Sequence, residues 1–219
     1  MNMFIKTILK SLYNLDIEYQ NNFCKLLLFE RTFRHLVLTN ILRVFYYQPL
    51  FKLHCDHYGK NLKIFGGMPY FSGNISIDIG DNFRMQGLSN FEARTDVSQW
   101  VPELIIGDDV SLGHRNVISV GKKIHIGNRV LTAPEVRIRD NDGHPLDPVK
   151  RFNGDNLNES DIKPVKIDDD VWIGAFCIIN KGVTIGKAAI IGAGSVVVND
   201  IPAFTIAAGN PARVIRSIE

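Results

Sequence analysis

The sequence predicts a triangular β-solenoid preceded by a helical segment, and three observations carry that prediction. Aliphatic residues stand six apart at Ile167, Ile173, Ile179, Ile185, Ile191 and Val197. Four residues after each comes a small or branched residue, namely Val171, Cys177, Val183, Ala189, Ser195 and Ile201, while Gly174, Gly186 and Gly192 directly follow three of the aliphatics. The first sixty residues show instead the spacings of three and four that mark a helix. A period of six is neither the 3.6 of a helix nor the 2 of a strand. It demands a short strand and a corner per repeat, so that three repeats bring the chain back to its starting face. Each aliphatic then points into a prism and stacks on its equivalent one coil away. The small fourth-following residue fills the corner, and glycine is expected to permit the tight turn there.

The elements follow in order. Residues 1–60 form the helical segment. In Met3 to Leu15, Phe4, Ile8, Leu12 and Leu15 share one face while Lys6, Lys10 and Asn14 fall elsewhere. A second helix, Glu18 to Tyr47, interleaves Leu, Phe and Ile with Lys25, Arg31, Arg34 and Arg43, and is expected to stop near Gln48-Pro49. Two readings of this segment stay open: packing against the main domain or a sister subunit, and docking on an anionic membrane surface. Residues 61–202 form the solenoid. Leu62, Ile64, Ile75, Ile77 and Ile79 alternate with polar residues and belong to early coils whose register the pattern leaves open. The period is plain again at Ile106-Gly107, Leu112-Gly113 and Ile118, slips by two residues, and resumes at Ile126-Gly127, Thr132 and Ile138. Between Asp140 and Pro164 it vanishes in a polar excursion, with Gly154, Asn156, Asn158, Glu159 and Ser160 near its tip. A loop inserted in a strict repeat leaves the stack intact and is a natural place for chemistry. Residues 203–219 are a C-terminal tail.

Composition bounds the function. The 219 residues are 45% apolar, 22% charged and 10% aromatic, the profile of a globular chain. A net charge of +2 is too balanced for a nucleic-acid binder. That balance hides an asymmetry, since residues 1–60 carry eight Lys/Arg against four Asp/Glu. Three widely spaced cysteines, Cys24, Cys55 and Cys177, argue for a reducing compartment rather than a disulfide framework. No stretch approaches the ~18 uninterrupted apolar residues of a spanning helix, and no small-residue cleavage site follows the apolar N-terminus. The expectation is a cytoplasmic protein, with peripheral contact at the inner face of the plasma membrane if residues 1–50 dock there. His54, Cys55 and His57 are clustered but lack a complementary ligand group at metal spacing, so no metal is expected.

The run Val171-Trp-Ile-Gly-Ala-Phe-Cys-Ile-Ile-Asn-Lys-Gly-Val-Thr-Ile-Gly, then Ile191-Gly-Ala-Gly-Ser-Val-Val-Val-Asn-Asp-Ile-Pro-Ala, and finally Ala208-Gly-Asn-Pro-Ala-Arg-Val-Ile-Arg216, resembles the hexapeptide-repeat acyltransferases. It is most similar to the galactoside/maltose and nodulation-type O-acetyltransferases and to relatives encoded with capsule and O-antigen genes. The resemblance covers roughly residues 100 to 216. It implies a left-handed parallel β-helix, an exception to the right-handed crossover rule, a homotrimer with active sites between subunits, and acetyl-CoA as co-substrate. The periodicity by itself implies neither the hand nor the trimer.

The resemblance also implies site residues. His144, in Asp140-Asn-Asp-Gly-His-Pro-Leu-Asp-Pro148, matches the family's catalytic histidine. Imidazole is the side chain suited to remove a hydroxyl proton near neutrality. A basic ring nitrogen needs the other nitrogen held by a carboxylate or a backbone carbonyl, and Asp142 and Asp140 are the nearby carboxylates. Cys177 reads as packing rather than as a nucleophile. The donor groove is expected to use backbone near Ala175 and Ala193, Trp172 at its wall, and Arg213, Arg216 and Lys181 toward the phosphates. One departure is Asn199, where relatives usually have Lys before the Asp-Ile-Pro. Asn141, Asp147, Arg151 and His114 are candidate acceptor ligands. The acceptor is expected to be a sugar hydroxyl of a bacterial surface polysaccharide or its precursor. The alternatives are an N-acyltransferase acting on an amino sugar and a non-catalytic β-helix scaffold. A zinc carbonic anhydrase on the same helix would need His114, His125 and His144 to converge, in settings that do not match that family's pattern.

Overall fold

The computed structural model describes residues 13, 22–93 and 100–218. The chain divides into two compact units, Met1–Asn40 and Ile41–Glu219. The expected helix from Met3 to Leu15 lies outside the described residues apart from Tyr13, which is helical. In the first unit the helix Asn22–Phe33 continues as a π-helical stretch, Arg34–Leu38, and neither contains a buried residue. Leu26, Phe29, Phe33 and Leu36 are all exposed. None of the described helices is long and apolar enough to cross a membrane.

The second unit opens on a π-helical stretch, Arg43–Tyr47, and an α-helical one, Gln48–Lys52. The expected stop at Gln48-Pro49 is passed, and the helix runs on to Lys52. The change of hydrogen-bond register between the two stretches puts Pro49 in the first turn of the second, where a missing N–H is tolerated. This extra turn carries Phe51, which is 0% exposed. Its ring lies 5.7 Å from Phe71, 6.2 Å from Phe83 and 6.0 Å from Phe91. A stacked prism exposes its core at its open end unless something covers it, and Phe51 is that cover.

The remainder is a prism of three parallel sheets whose strands are visited in turn. On the first sheet Ile79, Ile106, Ile126, Ile167 and Ile185 stand in register. The second stacks Ile64 on Met85 and Leu112, and Thr132 on Ile173, Ile191 and Ala207. The third stacks Phe71, Phe91, Ile118, Ile138, Ile179 and Val197. The six aliphatics from Ile167 to Val197 are at most 1% exposed, and the fourth-following residues from Val171 to Ile201 are buried with them. Both sets form one core. The architecture is the left-handed parallel β-helix.

The early coils keep the same period. Ile79, Met85 and Phe91 are six apart and inward, with Phe83 and Ser89 buried four residues after Ile79 and Met85. An aliphatic search misses them because two of the three inward residues are Met and Phe. At the far end an antiparallel hairpin, Thr205–Gly209 and Ala212–Ser217, closes the second sheet.

The glycines that follow the aliphatics do not supply the turn. The left-handed corner conformation is taken instead by Asp170, Phe176, Gly182, Ala188 and Gly194, at φ of 63°, 59°, 75°, 56° and 73°, none of which directly follows an inward aliphatic. Gly174 instead lies where the next coil presses closest, since a Cβ there would stand 2.6 Å from the Ala193 nitrogen. Coil-to-coil approach, not backbone freedom, selects glycine at this position.

Candidate active site

The site grows from the point where the register slips. The two extra residues between Ile118 and Ile126 make a bend at Gly121-Lys122 that leads into the strand Lys123–Ile126, and the N–H groups of Gly121, Lys122 and Lys123 need acceptors there. Asp140, at the end of the strand Arg137–Arg139, supplies the missing acceptors. Its carboxylate accepts the N–H of Gly121 at 2.5 Å and those of Lys122 and Lys123 at 2.7 and 2.8 Å, together with the Asn141 amide at 2.9 Å. Asp140 is 0% exposed. Asn141 continues the anchor: its amide also donates to the Ser119 carbonyl at 3.1 Å, and its oxygen accepts the Gly143 N–H at 3.0 Å. One residue on, the exposed His144 projects from this anchored bend.

The rest of the excursion is tied down by its own polar groups. Asp147 caps the short helix Pro148–Asn153 by accepting from the N–H groups of Val149 and Lys150, both at 2.9 Å. These bonds, that of Lys150 first, hold its carboxyl below the usual aspartate range. Arg151 donates back to the carbonyls of Pro145 at 3.1 Å and Leu146 at 2.9 Å. Lys181, on the neighbouring coil, donates to the Asp142 carboxylate and, at 2.8 Å, to the Asp161 carbonyl, so it joins both ends of the loop.

A cavity of about 340 Å³ opens beneath the bend, on the outer face of the third sheet. Glu92, Ser119, Arg137, Arg139, Asn141 and His144 are among its walls. The expected site residues thus separate by role. His144, Asn141 and Asp142 come together at the cavity, with Asn141 1% exposed and its amide taken up in the bend. Asp147 and Arg151 build the loop and do not line the cavity. His114 lies at a turn between the second and third sheets, also away from it. Lys181, expected at donor phosphates, is engaged by Asp142 because the loop brings that carboxylate to it. Neither Asp140 nor Asp142 is bonded to the His144 ring. Arg137, Arg139 and Glu92 carry no motif. The signal that finds them is outward position: Arg137 and Arg139 flank the inward Ile138, and Glu92 follows the inward Phe91.

Of the residues expected on the donor side, Trp172, Arg213 and Arg216 lie on the second sheet, and Ala175 and Ala193 at turns beside it. Leu131, Trp172, Ile190, Ile206 and Arg216 form one outward column in register across adjacent strands. Trp172 is 50% exposed and Leu131 47%. Ala175 and Ala193 are on neighbouring coils, with the Ala175 carbonyl accepting the Gly194 N–H at 2.8 Å. Among the described residues Arg213 and Arg216 make side-chain bonds only to the carbonyls of Ala212 and Ser217, at 2.9 and 3.2 Å. Cys177 is buried and donates to the Gly192 carbonyl at 3.1 Å, and burial raises its pKa. Among the described residues no group of three His, Cys, Asp or Glu could hold a metal ion. His54 stacks on Phe71 at 4.0 Å, the Cys55 thiol donates to the Phe51 carbonyl at 3.5 Å, and His57 meets Asp78 at 2.9 Å. His125 sits on the first sheet, its pKa lowered by burial and then by Lys166 and Lys123, so it does not converge with His144.

Known proteins share the repeat and the fold. The bacterial transferase hexapeptide (six repeats) model matches residues 164–199. Galactoside O-acetyltransferase of Escherichia coli is 39% identical over 149 residues, 68% of this chain and 58% of that protein. A maltose O-acetyltransferase from Clostridium difficile 630 is 31% identical, over 78% of this chain and 74% of that one, with a TM-score of 0.47. The N-acyltransferase AntD from Bacillus cereus, solved with dTDP-4-amino-4,6-dideoxyglucose and coenzyme A, shares the fold at a TM-score of 0.63 and 21% identity, covering 78% of this chain and 89% of that one. The chain spans about half the length of the curated relatives it matches. The chain thus carries the hexapeptide repeat of the bacterial transferases in its final coils, and its sequence is similar to that of a galactoside O-acetyltransferase over two thirds of its own length.

Proposed function

We propose that the protein transfers an acetyl group from acetyl-CoA to a sugar hydroxyl, with His144 as general base. The observation that carries this reading is the position of His144, exposed at the wall of a cavity and held there by a bend whose polar groups are otherwise engaged. The residues present fit the donor. An apolar column from Leu131 through Trp172 to Ile206 ends at Arg216, and Arg213 stands on the same hairpin, an order that matches an amphipathic arm ending in phosphates. Acetyl-CoA, when bound, supplies an activated acyl carbon. His144 takes the proton from the attacking hydroxyl and returns it on the leaving side, so the imidazole ends each cycle neutral. The cavity walls hold the acceptor against the ring, and no Ser or Cys nucleophile is required, since the acceptor oxygen attacks directly.

The cavity lies on the third sheet and the apolar column on the second. Copies packed side by side bring one copy's column to another's cavity, and a homotrimer satisfies this for every copy. The acceptor we favour is a surface-polysaccharide unit or its precursor at the cytoplasmic face of the membrane, supported by the basic, exposed apolar helix Asn22–Phe33. Co-sedimentation with anionic liposomes at low salt tests that placement, and its absence removes it.

The transfer itself is tested with His144→Ala. Its acetyl transfer is expected to fall by about 10²–10⁴-fold, with the acetyl-CoA-induced rise in thermal midpoint kept. Transfer unchanged in the variant, or no midpoint shift in the parent, removes the reading. Alkaline hydroxylamine releases an O-acetyl product and spares an N-acetyl one, which distinguishes amino-sugar acylation.

A further inference from the structure

We infer that the acceptor carries an anionic group, a phosphate or a carboxylate, and that Arg137 and Arg139 select it; this rests on the reading of the cavity as the acceptor site. The two arginines occupy alternate positions of one strand, so both project from the same outer face, ~7 Å apart along it. Both line the cavity that His144 lines. The third sheet's inward positions are fixed by packing, but its outward positions are free of that demand, and two guanidiniums on one strand repel each other unless an anion lies between them.

Among the described residues no carboxylate pairs with them. Arg115 pairs with Glu135 and Arg129 with Asp170, whereas neither Arg137 nor Arg139 has an ion pair among the described residues. The nearby acids are each accounted for. Asp140 is saturated by four N–H donors, and Asp142 is held by Lys181. Glu92 is the remaining carboxylate on the cavity wall. It is aligned with Ser119, which is aligned with Arg139, so it lies two strands away, ~10 Å at ordinary strand spacing. Asn90 donates to it at 3.3 Å. Arg139 is pre-positioned: its Nε donates to Asn180 Oδ1 at 2.9 Å, which leaves its two terminal nitrogens for a ligand. Two guanidiniums offering parallel N–H pairs are suited to the oxygens of a phosphate or carboxylate, and a neutral sugar ring leaves both unpaired.

The test compares five acceptors, with glucose and galactose neutral, glucose 6-phosphate and UDP-glucose carrying phosphate, and glucuronate carrying carboxylate. Wild-type protein is expected to acetylate a charged acceptor with a KM at least tenfold below that of the neutral sugars. In Arg137→Gln/Arg139→Gln that KM rises at least tenfold more than the neutral-sugar KM does, so the preference for the charged acceptor is lost. The phosphate and carboxylate arms show which group is preferred. Equal KM values for neutral and charged sugars, or a double variant that weakens both alike, overturn the inference while leaving acetyl transfer in place. If no sugar is acetylated, the transfer reading falls, and the thermal midpoint with each of the five then decides the inference separately. Stabilisation by the charged sugars that is lost in the double variant supports it, and its absence overturns it.

Discussion

Replacing Asp140 by alanine tests whether the register slip and the active-site bend are one structure. The carboxylate is 0% exposed and satisfies three successive backbone N–H groups. The Gly121 N–H is buried, so losing its acceptor costs a desolvation penalty of about 1–3 kcal/mol. The Lys122 and Lys123 N–H groups are half-buried and recover part of their loss from water, leaving ~0.5–1.5 kcal/mol each. The expected total is roughly 2–6 kcal/mol. At a urea dependence of ~1–3 kcal/mol/M this lowers the midpoint by one to a few molar, at matched protein concentration. Asp140→Asn keeps one oxygen but turns an amide donor toward N–H donors, so it falls between. Asp147→Ala is the control. It removes a cap from an exposed six-residue helix and is expected to cost about 1 kcal/mol. Transfer activity should also fall in Asp140→Ala under conditions where the chain is still folded, because Asn141 and His144 follow directly on the anchor. A loss below about 1 kcal/mol, or full activity in the folded variant, would refute the reasoning.

Other expectations are separate from this one. Phe51→Ala opens the covered end of the prism against Phe71, Phe83 and Phe91 and is expected to cost about 3–5 kcal/mol in the same unfolding assay. Lys181→Met unties Asp142 from the Asp161 carbonyl and should raise the acceptor KM more than the acetyl-CoA KM, read from initial rates. Cys55 is pushed up to about 12 by burial first and by Asp56 and Asp78 next. At pH 8 its alkylation by iodoacetamide, followed by mass spectrometry, should run about a thousandfold slower than that of a thiol at the ordinary value.

The inward columns of the later coils were legible because burial there accepts almost nothing but an aliphatic at every sixth position, from Ile167 to Val197. His144 was legible through its motif and its place at the mouth of the excursion. The early coils were less so: Met85, Phe83 and Phe91 satisfy the same packing demand with side chains outside the aliphatic set. Glycine was legible as a position but not as a cause, since the coil-to-coil contact at Gly174 exists only once two turns are stacked.

The repeat, the interruption and the residue at the interruption are all consequences of local spacing. Which polar groups satisfy one another is settled by contacts that exist only once the coils are stacked. Asp140 lies seventeen to nineteen residues from the N–H groups it satisfies, and Lys181 thirty-nine from Asp142. Arg137 and Arg139 differ from other surface arginines only in what the third sheet and the loop leave around them. Hydrogen bonds and ion pairs form between neighbours in space, and in a solenoid those neighbours are a coil or an excursion apart in sequence.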